Sequence, residues 1–245
     1  MIERRFKVSQ KNIDLSQTRD LIFFKGLELT MGITTVNFNA SDSLPEDHLL
    51  LLLGGDYVIR SEPRRLAKIV FLKSGNARNH YSDDSLVHLG LDWHDSPVIV
   101  TPGGDEPIVI LFNQRLKLVA LINGSWENII LYLVRSTISA IRSRINVNVN
   151  EISAWIWPGL CRDCFLPPKD LFNYLKAENK KIDLKNIISQ QLLDLGIKEG
   201  NIYSTNLCSS HSRSDQGYFF HSLSRDRLVE EKNNLLFVKL KNKKD

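Results

Sequence analysis

Apolar and polar positions alternate in short blocks along the whole chain. Leu21-Ile22-Phe23-Phe24 is a continuous apolar run of the kind that forms a buried strand. Pro97-Val98-Ile99-Val100-Thr101 and Pro107-Ile108-Val109-Ile110-Leu111-Phe112 predict two central strands, with Pro102-Gly103-Gly104 forcing a sharp turn between them. Leu118-Val119-Ala120-Leu121-Ile122 predicts a third. At Ser61-Glu62-Pro63 the signals favour a helix start: Ser61 can cap, Pro63 is tolerated in the first turn, and Leu66, Ile69 and Val70 recur at helical spacing. A long helix is predicted from Ser125, where Ile129, Ile130, Leu133, Val134, Thr137, Ile138 and Ile141 line one face and Arg135, Arg142 and Arg144 occupy the other face or the last turn. Asp183 to Leu195 predicts another, with Asp183 as N-cap and Gly196 just past its end. Glu151 to Trp157, Asn201 to Thr205, Tyr218 to Phe220 and Leu235 to Leu240 read as strands. Strands and helices mix without a strict βαβ rhythm, repeat or linker. The expected fold is therefore α+β, a mixed sheet core with helices packed outside, as a single domain over residues 1–245.

Composition narrows the classes. With 245 residues and 42% hydrophobic side chains, the chain can bury a core without a disulfide or metal. The net charge of +4 is concentrated in Lys239-Leu240-Lys241-Asn242-Lys243-Lys244, which reads as a solvated end, so no nucleic-acid partner is expected. The apolar stretches Leu49 to Leu53 and Ile129 to Val134 are far shorter than the ~20 residues of a membrane span, so no membrane partner is expected either. Three cysteines and an N-terminus without an apolar signal core point to a reducing, cytoplasmic setting. The expected state is a monomer or homodimer with a small molecule as partner.

Candidate chemistry is sparse. Walker, G-x-G-x-x-G, H-E-x-x-H and G-x-S-x-G motifs are absent. Gly103-Gly104-Asp105 leads into a strand and so lacks the helix N-terminus of a phosphate cradle. Cys161-x-x-Cys164 and Cys208-x-x-His211 have the internal spacing of a zinc clip, although the 43 residues between the pairs exceed the gap of a usual zinc ribbon. The plainer reading is three free cysteines and a surface histidine. His80, His88 and His94 lie close in sequence, and His94 stands beside Asp92 and Asp95. An imidazole next to a carboxylate can serve as a general base, but the same arrangement is common in polar loops.

The order of these segments resembles the YfiH-type family, also called the laccase-domain, multicopper polyphenol oxidase or peptidoglycan editing factor family. Gly32-Ile33-Thr34-Thr35 stands where members carry G-F-T-T, and Asp84-Ser85-Leu86-Val87-His88 where they carry D-A-L-V-T. Asn123-Gly124-Ser125-Trp126 resembles part of A-H-A-G-W-R-G, and Ile156-Trp157-Pro158-Gly159-Leu160 resembles I-G-P-C-I. The late pattern is closest: Asp183-Leu184, Gln191-Leu192, Gly196-Ile197, Asn201-Ile202, Cys208 and Phe219-Phe220-His221-Ser222. The likeness runs from about residue 20 to 240.

The resemblance implies an active trio of His in Q-V-H-G, Cys in A-D-C-x-P and His in H-A-G-W, holding zinc or copper or acting as a hydrolase-like triad. Here Ser74, Asp105 and Asn123 fall at those places, and the 18-residue spacing from Asp105 to Asn123 is close to the family's. A carboxylate ionised at neutral pH, an amide that cannot take up a proton, and a hydroxyl without a base do not replace a thiolate and two imidazoles. The expectation is a catalytically degenerate member that binds a small ligand or a partner, with no resident cofactor. The alternative is an active hydrolase or transferase with a rearranged site, acting on purine nucleosides (phosphorolysis or deamination) or on a peptidoglycan-precursor amide. There, His80, His88 or His94 would work with Asp105, while Arg225 or Arg227, near the family's late arginines, would bind an anionic group.

Overall fold

The computed structural model describes residues 16–18, 21–25, 29–35, 38, 45–63, 67–72, 80–89, 96–175, 181–215, 217–226 and 234–240. One seven-stranded sheet runs in the order β1 (Ser16–Gln17), β2 (Leu21–Lys25), β3 (Leu29–Thr34), β15 (Asn234–Leu240), β8 (Pro97–Gly103), β4 (Tyr57–Glu62), β6 (His80–Ser82). A six-stranded sheet runs β12 (Ile202–Ser204), β11 (Ser153–Ile156), β9 (Ile108–Asn113), β10 (Leu118–Asn123), β7 (Ser85–Leu89), β5 (Ile69–Phe71). Both sheets are mixed, and β13 (Arg213–Ser214) with β14 (Gly217–Tyr218) forms a small separate ribbon.

The two large sheets pack face to face. Because side chains alternate along a strand, each strand feeds two different layers. Ile22, Met31, Ile59, Ile99 and Leu236 of the first sheet meet Leu86, Ile108, Ile110, Val119 and Leu121 of the second in the central core. The opposite sides of the second sheet's strands, among them Val87, Val109, Leu111, Ala120 and Ile122, are covered by α2 (Trp126–Ile130), α3 (Leu133–Arg142), α4 (Lys169–Leu175) and α5 (Leu184–Asp194). On the outer face of the first sheet, Leu21, Val98, Val100 and Phe237 pack with Leu49 of α1 (Pro45–Leu53). The result is four layers: one helix, two sheets and a helical face. Among the described residues no helix is long and apolar enough to cross a membrane.

Most predicted elements are present, with four differences. Ser61 lies inside strand β4 instead of capping a helix: Tyr57 to Arg60 pair in parallel with Pro97 to Val100, Ser61 and Glu62 pair with β6, and the Ser61 hydroxyl donates to Asp83 Oδ1 at 2.8 Å. Ile69 and Val70 lie in β5, paired with β7. The long helix is two helices, because Tyr132 adopts a left-handed conformation (φ 53°) between α2 and α3. Finally, Pro102 and Gly103, expected in a sharp turn, are the last residues of strand β8. Residues 104–107 carry the chain from one sheet to the other.

Candidate functional site

Register brings the candidate residues to one end of the sandwich. Asn123 at the end of β10 faces Ile108 at the start of β9, and Ile156 at the end of β11 faces Val109. Ser204 ends β12 beside Ile156, and Asn234 at the start of β15 faces Gly103 at the end of β8. The loops that leave these strand ends hold Asp105, Asn123, the cysteines and Arg225.

Asp105 and Asn123 are tied into the framework. One Asp105 carboxylate oxygen accepts from Ser209 Oγ at 2.8 Å, the other from the Ser224 backbone N–H at 2.7 Å, and its carbonyl accepts from Leu160 N at 2.8 Å. Asn123 Oδ1 accepts from Ser125 N at 2.9 Å and from Asn128 Nδ2 at 3.2 Å, while its own Nδ2 donates to Glu106 Oε2 at 3.3 Å. Two glycines allow the tight stacking here. A Cβ on Gly124 would stand 2.6 Å from the Pro107 carbonyl oxygen, and one on Gly159 2.6 Å from the Pro107 nitrogen.

Of the candidate histidines, the two on described strands belong to β7 and β6 and not to the loop that carries Asp105. His88 is fully buried in β7 and paired with Val119, four residues along the strand from Asp84, whose carbonyl accepts from Asn123 N. At about 3.3 Å per residue that is roughly 13 Å. Burial pushes its pKa down to about 4, so it is neutral at pH 7. His80 starts β6 at the edge of the other sheet. Ser74, His94 and Arg227 lie outside the described residues. Arg225 is fully engaged: its guanidinium donates to Asp226, to the carbonyls of Ser210 (2.9 Å) and Phe220 (2.8 Å), and stacks 3.9 Å from the Tyr218 ring. The guanidinium in turn holds the Asp226 carboxyl below its ordinary value.

The cysteines and His211 do converge. β11 and β12 are parallel neighbours, and a further bridge pairs Gly159 with Cys208, so the loops after both strands leave side by side. The Cys161–Cys164 turn is closed by Cys164 N and Phe165 N donating to the Cys161 carbonyl at 3.0 and 2.9 Å. In the facing turn Ser212 N donates to the Cys208 carbonyl, and Cys208 N to Ser212 Oγ at 2.7 Å. One ligand atom from each of Cys161, Cys164, Cys208 and His211 lies within 4.8 Å of every other. His211 Nδ1 is 3.7 Å from Cys161 Sγ and 3.3 Å from Cys164 Sγ, and Cys161 N–H points at Cys208 Sγ at 3.3 Å. Desolvation pushes the Cys164 thiol up to about 12. Cys161 is opposed by burial too, but N–H groups of Asp163 and Cys164 bring its thiol below its ordinary value. Beneath the cluster, the buried Lys185 donates Nζ to the carbonyls of Thr205 (3.0 Å) and Leu207 (3.1 Å), and burial lowers its pKa.

Residues 98–228 match the family model described as multi-copper polyphenol oxidoreductase laccase, more than half of the sequence. The chain belongs to this laccase-domain family. Solved structures agree at the level of fold. The hypothetical protein YfiH of Bacillus licheniformis superposes with a TM-score of 0.76 at 17% identity, covering 92% of this chain and 98% of that one. YlmD from Geobacillus stearothermophilus gives 0.77 at 16% identity, covering 93% and 99%. A Neisseria meningitidis protein gives 0.72 at 15%, covering 91% and 100%. A search of curated proteins finds no match.

The metal that the laccase-domain name implies does not fit Asp105 and Asn123. Both are hard donors already held by hydrogen bonds, and copper and zinc favour thiolate and imidazole. The four-donor cluster on the neighbouring loops has the softer chemistry. The expectation that no metal binds is therefore corrected: the described residues include a donor set able to hold one. Its spacing was visible in the sequence. Ser209, Ser224 and Lys185, which brace the loops, were not singled out, since nothing local separates them from surface residues.

Proposed function

We propose that this laccase-domain protein works by binding and not by turnover. The observation that carries this reading is the Asp105 carboxylate, at the place where the resemblance puts the reactive thiol. Both its oxygens act as internal acceptors, from Ser209 and Ser224, and the neighbouring Asn123 is likewise a framework residue. A nucleophile needs a free lone pair and a base within reach. The described histidine nearest in sequence, His88, is a neutral core residue several positions down the sheet. The same end of the molecule carries exposed apolar side chains, Leu166 (85%), Tyr218 (42%) and Leu223 (59%), on the segments around Asp105 and the cysteines. Such a surface is suited to cover a small ligand or a partner.

The test is product analysis. Purified protein is incubated with adenosine or inosine plus phosphate, and separately with a peptidoglycan-precursor amide, beside a relative with the intact Cys-His-His trio. The expected result is no product while the relative turns over. Product that disappears on Asp105→Ala overturns the reading in favour of a rearranged hydrolase or transferase. Product indifferent to that substitution overturns it as well and moves the chemistry elsewhere.

A further inference from the structure

We propose that Cys161, Cys164, Cys208 and His211 bind one Zn²⁺ ion that staples the loop after β11 to the loop after β12. The site uses neither Asp105 nor Asn123 as a ligand, and the inference holds whether or not the protein turns anything over.

The donor atoms lie near the spacing of a tetrahedral shell. With Zn–S near 2.3 Å and Zn–N near 2.0–2.1 Å, tetrahedral geometry puts two sulfurs about 3.8 Å apart and a sulfur and nitrogen about 3.6 Å apart. The observed separations from His211 Nδ1 are 3.7 and 3.3 Å, and all four donor atoms lie within 4.8 Å of each other. No disulfide explains the cluster: all three cysteines are free, and a single disulfide would leave one sulfur over.

The surroundings suit the ion. The donors come in two pairs, each on a hydrogen-bonded turn at the end of a strand, and parallel pairing holds the strands in register. The Cys161 N–H aimed at Cys208 Sγ supplies the outer hydrogen bond that stabilises a thiolate ligand. Binding of Zn²⁺ displaces three thiol protons to solvent and leaves a centre of net charge −1. Lys185 Nζ, buried against the carbonyls of Thr205 and Leu207, lies on the protein side to balance that charge. Arg225 anchors the Ser209 and Ser210 carbonyls of the ligand loop from its other side. Three thiolates and one imidazole fill the four positions, so the site is structural, without an open position for substrate.

The test starts with the full chain, purified without added metal and analysed by inductively coupled plasma mass spectrometry. About one zinc per chain is expected, and the same stoichiometry after treatment with Zn(II). Replacement by Co(II) is expected to give tetrahedral d–d bands and thiolate-to-cobalt charge transfer. Cys164→Ser should lose the metal, and His211→Cys should keep one metal with shifted cobalt bands. Asp105→Asn should keep it with unshifted bands. A wild-type chain that takes up no stoichiometric zinc overturns the proposal, as does zinc retained unchanged by folded Cys164→Ser. If Cys164→Ser does not fold, the cobalt spectra of the wild type and His211→Cys decide. A weak octahedral spectrum without charge transfer overturns the site.

Discussion

Two neighbouring clusters at the same end of the sandwich are built on opposite principles. Around Asp105 and Asn123, hard oxygen and amide groups each find a donor or acceptor within the protein, and the region is closed by hydrogen bonds. Around Cys161 and His211, soft donors converge with few internal partners, an arrangement with little internal stabilisation until something bridges them. Ser209 touches both worlds: it follows Cys208 in the ligand turn and donates to Asp105. At this end of the fold Asp105 and Asn123 are held by internal hydrogen bonds, and the soft ligands sit one loop away. Fold and chemistry are separable, and only the side chains tell which of the two persists.

Removing the bridging ion should break this contrast most strongly. Chelation is expected to lower thermal stability by several kcal/mol, about 4 if free zinc had stood 1,000-fold above its dissociation constant, read by calorimetry with and without chelator. Acid comes next. His88 binds a proton in the unfolded chain below about pH 6.5 but in the native state only below about 4. Between those values the unfolded state holds the extra proton, so stability falls as pH falls, by roughly 3 kcal/mol in all. His88→Leu should flatten that part of a urea-denaturation series across pH, and an unchanged slope would remove His88 as the cause. Gly159→Ala forces a Cβ against Pro107 and should cost about 2 kcal/mol, loosening both clusters at once. If zinc affinity stays the same in that variant, the two clusters are mechanically independent. Asp105→Asn keeps the shape but removes the charge behind two hydrogen bonds, and about 1.5 kcal/mol of stability should go with it. The smallest effect belongs to the cap of α5: Asp183→Ala frees the Lys185 and Asn186 N–H groups and should cost about 1 kcal/mol in denaturant unfolding.

Local signals were readable where local physics decides. Asp183 caps α5 as its sequence predicts, and Gly196 follows with φ 91°. They misled at Ser61, where a good cap and a tolerated proline lose to pairing with the central strand β8, a partner 40 residues away in the chain. Tyr132 breaks its helix without glycine or proline to announce it. For the cysteines, the spacing within each pair was legible and the long gap was the obstacle. That gap has a topological cause: β11 and β12 run parallel, a parallel pair needs a crossover, and α4 and α5 fill it. The donors of Arg225 are claimed by carbonyls and by Asp226, contacts that no sequence pattern displays.

The position of β15 bears on how the molecule is made. It follows every other described strand, yet it lies between β3 and β8, hydrogen-bonded to both. While the polypeptide is still being synthesised, β1 to β3 and the β8–β4–β6 group are two half-sheets without a shared hydrogen-bonded edge. Each exposes an open edge until β15 arrives and closes the gap. Folding on the ribosome is therefore expected to reach its cooperative step only when residues 234–240 emerge, and a chain stalled before them would present two sticky edges to its neighbours.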